Sequence, residues 1–134
     1  MLFAITSGCS AEPQLDLPND RSWESEHFRY HVRDGDERAC EAVLEQLEQH
    51  FELTRTYLGF PWSGDRKIEY YKFRDNADYS SNSGCPVDSG SCALQSTVFS
   101  PDTLNEHELI HAYLAPLGLP PAFFVEGVAS VMAC

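Results

Sequence analysis

The sequence predicts an α+β fold: a small mixed or antiparallel sheet packed against one long helix and against a second helix that carries two histidines. Three observations predict it. "HFRYHVRD" alternates apolar with polar residues, residues 40–58 repeat apolar side chains at three- and four-residue steps, and "NEHELIHAYL" repeats them again before a Pro and a Gly. The resulting order is β-α-β-β-α-α, with no internal repeat.

Each element has its own signal. In the first strand Phe28, Tyr30 and Val32 alternate with His27, Arg29, His31 and Arg33, so one face is buried and the face with both histidines is expected in solvent. Cys40, Val43, Leu44, Leu47, Phe51, Thr54 and Leu58 line one side of a helix that Asp36 would cap and that Gly59 and Pro61 close. Glu37, Glu41, Glu45, Glu48 and Glu52 form its opposite, solvated face. His50 lies beside that face and receives no role. "RKIEYYKFRD" is a second strand, "NADYSSNSGCPVDSGSC" a loop too polar and glycine-rich for a core element, and "LQSTVFSP" a third strand stopped by Pro101. Residues 102–115 form the next helix, with Asp102 or Thr103 at its cap and Pro116 and Gly118 at its end. "LPPAFFVEGVASVMAC" opens the last helix, with Pro120 or Pro121 in its first turn.

Bulk properties bound the function. The 134 residues suffice for one domain around one site. A formal net charge of −12, with nine scattered basic residues, is wrong for a phosphate-binding surface, so no nucleic-acid partner is expected. No segment is long and apolar enough to span a bilayer. The five cysteines include no Cys-x-x-Cys pair, against a thiolate zinc site. Cys85 and Cys92 flank the short polar loop "PVDSGS", and a disulfide closing it is favoured. Cys40 and Cys134 are a second candidate pair, Cys40 otherwise serving as a small apolar residue on a helix face. At the start, Ser7, Gly8 and Cys9 resemble the processing site of a bacterial lipoprotein, although Thr6 stands where an aliphatic residue is usual and the apolar run before it is short. The expected organisation is a partial lipoprotein-type signal over 1–9, a tether over 10–22 and a domain over 23–134. The protein would be extracytoplasmic, at the cell envelope or secreted, with a lipid on Cys9 as its membrane attachment.

The chemistry concentrates in "NEHELIHAYLAPLGLPPAFFVEGVAS". Four residues apart on a helix, His107 and His111 project from one face and can offer two imidazole nitrogens to one metal. Glu108 lies about 100° round from His107, where its carboxylate can reach a water without ligating the metal. A catalytic zinc needs a third protein ligand and an open position. Glu126 is the candidate, because the short Gly-Pro turn between the two helices makes them near neighbours.

"HELIHAYL" followed by "FFVEGVAS" resembles the gluzincin metallopeptidases, whose pattern is His-Glu-x-x-His and then a glutamate in an aromatic-x-x-Glu-Gly-x-Ala setting. Phe123, Glu126, Gly127 and Ala129 match the second motif. The resemblance implies the N-terminal half of a zincin-like catalytic domain, over roughly residues 26–134, with Zn2+ as cofactor. It implies His107, His111 and Glu126 as ligands, and Glu108 as general base for peptide-bond hydrolysis by a metal-activated water. The substrate would be a peptide or protein extended along an edge strand, for which Ser96–Ser100 is the candidate. Two departures accompany the likeness. Ser130 stands where many members carry an acidic residue that orients a ligand histidine, and the usual Tyr or His oxyanion donor would fall beyond Cys134. The chain is therefore expected to be truncated, with Tyr70, Tyr71, Tyr79 and Tyr113 as the remaining donor candidates. The competing expectation is a non-catalytic envelope lipoprotein that uses a degenerate or incomplete peptidase fold as a binding module, with or without metal. Glu108 favours the enzyme, since a structural metal site needs no general base.

Overall fold

The computed structural model describes residues 21–36, 38–86, 88–118 and 122–133, the first four of the last group by backbone only. It is an α+β fold built on one mixed sheet of five strands. In chain order the elements are β1 (Arg21–Glu24), β2 (Phe28–Val32), α1 (Val43–Leu58), β3 (Ile68–Lys72), α2 (Asn76–Asn82), β4 (Cys92–Leu94), β5 (Thr97–Ser100), α3 (Glu106–Leu114) and α4 (Ala122–Met132), with a 3-10 turn at Ala115–Leu117. Across the sheet the strands run β1-β2-β3-β5-β4. β2, β3 and β5 are parallel, and the outer strands β1 and β4 are antiparallel to their neighbours. Arg21 and Ser22, assigned to the tether by sequence, are therefore strand residues. The signal-like residues 1–9 with Cys9, the rest of the tether, Pro120, Pro121 and Cys134 lie outside the described residues.

Alternation along the central strands sends Phe28, Tyr30, Val32, Ile68, Tyr70 and Val98 to one face, where they form a core with α1 and α3. Phe51 of α1 sits inside it, edge-on to Phe28 at 6.1 Å, Phe60 at 5.7 Å, Trp62 at 5.4 Å and Tyr113 at 5.2 Å. Truncating a ring so enclosed costs about 3–5 kcal/mol. The other face carries a smaller cluster of Tyr71, Phe73, Tyr79 and Phe99, with Cys85 and Cys92 packed on it. Those two cysteines are joined, as the spacing suggested. Cys40 is exposed and free, not a helix-face residue.

Five further expectations are corrected. First, residues 76–82 are not loop but α2, capped by the Asp75 side chain accepting from the Asp78 N–H at 2.8 Å. Tyr79 is its one large buried side chain, too little to show as periodicity. Second, Asp36 does not cap α1, which begins at Val43 with no side-chain cap. Its carboxylate instead meets Lys72 Nζ at 2.6 Å, with 2% and 1% of the two side chains exposed. A buried ammonium needs a counter-charge, and that requirement outranks a cap. Burial raises the Asp36 carboxyl, but the Lys72 and Arg38 contacts outweigh it and hold the group below its usual range.

The third correction concerns the strand histidines. His27 is buried, stacked on Phe51 at 4.1 Å, with its backbone N–H and Nδ1 both directed to Glu48. His31 stacks on Tyr71 at 4.3 Å and bonds Glu69. Neither faces open solvent, because parallel pairing with β3 sets Arg29 beside Glu69 and His31 beside Tyr71. Fourth, Ser96–Ser100 is no edge. Gln95, with a φ of 54°, turns the chain so that β5 inserts between β3 and β4, and its four residues are all buried. The edge is β4. Fifth, Asp102 and Thr103 do not cap the histidine helix.

Candidate metal centre

Asn105 caps α3: its side chain accepts the Glu108 backbone N–H at 3.1 Å. Asp102 and Thr103 are held by their carbonyls instead. Tyr70 Oη donates to Asp102 O and Tyr30 Oη to Thr103 O, each at 2.8 Å, and the two phenol rings stack at 5.0 Å. The Asp102 N–H donates to Ser100 Oγ at 3.1 Å. Burial drives both phenols far above their ordinary range, so they remain donors. The rotation of α3 is then set by Leu109, Ile110, Ala112 and Tyr113, all buried. Tyr113 Oη shares a hydrogen bond with His50 Nδ1 at 2.8 Å, tying α3 to α1. His50, given no role by sequence, is thus a strut between helices.

With that side buried, His107, Glu108 and His111 are turned outward, and α4 brings Glu126 over them. His107 Nε2 and His111 Nε2 are 3.1 Å apart. Glu126 Oε2 is 3.3 Å from His107 Nε2, and its Oε1 is 3.4 Å from His111 Nε2. Ligand atoms about 2.0–2.1 Å from one tetrahedral ion stand about 3.3 Å apart, the size of each of these separations, the two to Glu126 being made by its two different oxygens. The donor chemistry also fits: two imidazoles and a carboxylate suit a borderline-soft divalent ion. Among the described residues this is also the one grouping of three His, Cys, Asp or Glu side chains whose donor atoms meet within 4.8 Å. Side-chain exposure runs from 17% for His111 through 35% for His107 to 62% for Glu126, which leaves the outer side open for a fourth group.

Glu108 stays out of the triangle. Its Oε1 accepts from Ser91 Oγ at 2.8 Å, which joins α3 to the residue preceding β4. From there β4 and α3 advance side by side. One turn beyond His111, a cavity of about 490 Å³ is lined by Ala93, Leu94, Gln95 and Arg66 on one side and by Ala115 and Pro116 on the other. The described face thus comprises an unpaired strand edge, a carboxylate, three convergent donors and an apolar recess.

None of the four candidate oxyanion donors reaches that face. Tyr70 and Tyr113 are buried with their hydroxyls engaged as above. Tyr71 and Tyr79 belong to the cluster on the far side of the sheet, Tyr79 Oη bonding Ser89 Oγ at 2.7 Å. Sequence reasoning missed Asn105 and Ser91. Asn105 was legible, standing three residues before Glu108 and next to the first helical residue. Ser91 was not, since its role depends on where β4 lies. Set against models of known families, against curated proteins and against solved structures, the chain matches none of them.

Proposed function

We propose that this chain is a zinc-dependent peptidase of gluzincin type, or the zinc-holding part of one. The observation that carries the reading is the convergence of His107, His111 and Glu126, whose donor atoms lie within 4.8 Å of one another. His107 and His111 would supply Nε2 and Glu126 a carboxylate oxygen to Zn2+. When bound, zinc supplies Lewis-acid polarisation of a carbonyl and acidification of water. Glu108 does the proton work: outside the ligand triangle but on the same helix turn, it accepts a proton as the peptide is attacked and returns it to the leaving amine. The peptide backbone would add to the side of β4 that no described strand pairs, taking the role that the resemblance gives to an edge strand. An apolar substrate side chain would enter the recess between Leu94 and Ala115.

A second reading is favoured by one observation, the engagement of all four candidate tyrosines elsewhere: a zinc-holding module that binds peptide without turning it over. The envelope setting is supported by the Ser7-Gly8-Cys9 signature and by the Cys85–Cys92 disulfide, a bond typical of oxidising compartments. Elemental analysis decides first. Near one zinc per chain in wild type and a sharp loss in Glu126→Ala is expected; no zinc in either sinks the peptidase and leaves a metal-free binding module. Glu108→Gln then separates them. Retained zinc with hydrolysis of a quenched-fluorescence peptide mixture lost by about 10²–10⁴-fold supports the peptidase. A wild type that binds zinc and peptide without cleavage supports the module.

A further inference from the structure

Through the Ser91–Glu108 contact the disulfide-closed loop touches the face just described. Ser91 adjoins Cys92, which is bonded to Cys85, and both cysteines pack on Tyr71, Phe73, Tyr79 and Phe99. The same loop is tied down by Tyr79 Oη to Ser89 Oγ at 2.7 Å and by Ser89 N–H to Pro86 O at 3.0 Å. The Ser91 hydroxyl therefore stands on a rigid footing anchored on the far side of the sheet. Glu108 needs such a partner. Its backbone is fixed by the Asn105 cap, but a glutamate side chain has three rotatable bonds and, on a half-exposed helix face, would otherwise sample several rotamers.

We infer that Ser91 is a positioning residue for Glu108, and that the Cys85–Cys92 disulfide is what keeps Ser91 in register. The inference rests on the peptidase reading for its catalytic consequence but not for the contact itself. By donating to Oε1, Ser91 leaves Oε2 as the oxygen for proton transfer and restricts the carboxylate to one orientation. The hydroxyl makes no contact with the histidines or Glu126, so metal affinity should not depend on it.

The test uses Ser91→Ala, Ser91→Thr and the pair Cys85→Ser with Cys92→Ser, each in the full chain. In zinc-loaded protein Ser91→Ala is expected to lower kcat about tenfold, with KM and zinc Kd within about twofold of wild type, as for loss of one hydrogen bond to a charged group. Ser91→Thr restores most of kcat, and the double serine variant reproduces Ser91→Ala. A second measurement needs no turnover. In metal-free protein Ser91→Ala should lower Tm by about 3–5 °C in the Glu108 background and by less than half of that in Glu108→Ala. Equal Tm losses in both backgrounds overturn the inference, as does an unchanged kcat in a chain that binds zinc and cleaves peptide. If the wild type cleaves nothing, the peptidase reading falls alone and the Tm cycle still decides whether Ser91 holds Glu108.

Discussion

His27 and His31, like His107 and His111, stand four residues apart, yet the sheet splits the first pair and α3 aligns the second. His27 stacks on Phe51 and bonds Glu48, while His31 stacks on Tyr71 and bonds Glu69, so each ring has its own carboxylate and its own aromatic platform. His107 and His111 face one another and share Glu126. A histidine–carboxylate contact is thus an ordinary structural tie in this molecule. What distinguishes the helix pair is convergence: its donor atoms and one of Glu126 lie within 4.8 Å of one another.

The comparison is broken most directly with zinc. At a thousand times its Kd, Zn2+ should raise the unfolding free energy of wild type by about 4 kcal/mol, seen as a higher Tm in scanning fluorimetry. His111→Ala should abolish that response and His31→Ala should keep it whole; equal responses from the two variants would erase the distinction between the pairs. Next in size is His27→Ala. It removes the Phe51 stack and one of the three hydrogen bonds to Glu48, at about 2–3 kcal/mol in urea unfolding, with zinc binding unchanged.

Acid sharpens the contrast further. Burial lowers the His50 pKa below its ordinary 6.5, so the unfolded chain takes up that proton first and stability falls as pH drops from 6.5 towards the folded value. Burial alone would raise Glu48, but hydrogen bonds from Ser25 and His27 hold it below its ordinary 4.5. Its contribution is therefore present above pH 4.5 and lost as pH falls through the folded pKa. Denaturation midpoints measured from pH 7 to pH 3 should fall in two stages, and His50→Phe should remove the first. The smallest effect belongs to Gly127. A Cβ there would meet nothing within 4 Å, and its position in α4 favours alanine by about 0.5–1 kcal/mol. Gly127→Ala should raise Tm; if it also abolished peptide hydrolysis, the glycine would be shown to make room for substrate rather than to shape the helix.

How much of this was legible depended on range. α1, α3 and the buried face of β2 follow from periodicities that neighbouring residues impose on one another. Cys85–Cys92 followed from a loop short enough to close. The order of β4 and β5 did not, because a three-residue strand beyond a tight turn carries no pattern, and an inserted strand differs from an edge strand only in what flanks it. Asp36 and Lys72 were unreadable for the same reason: their partnership joins the turn after β2 to the end of β3. Within the candidate centre His107, Glu108 and His111 were visible as one helix face. That Glu126 spans both rings, and that Ser91 touches Glu108, are facts of packing between elements.

The two helices that meet at the centre are seated very differently. α3 buries four residues and is tied at its entrance by two phenols and at its flank by His50. Among its described side chains α4 fully buries Ala129 alone, with Val128 and Met132 partly covered. Opening of the centre requires α4 to part from α3, and deuterium exchange of the α4 amides measures that opening. An ion held by both helices can be retained only while α4 is closed, so its occupancy would be written into one helix. At a thousand times Kd, exchange of the α4 amides should slow by up to about a thousandfold while that of the α3 amides barely changes.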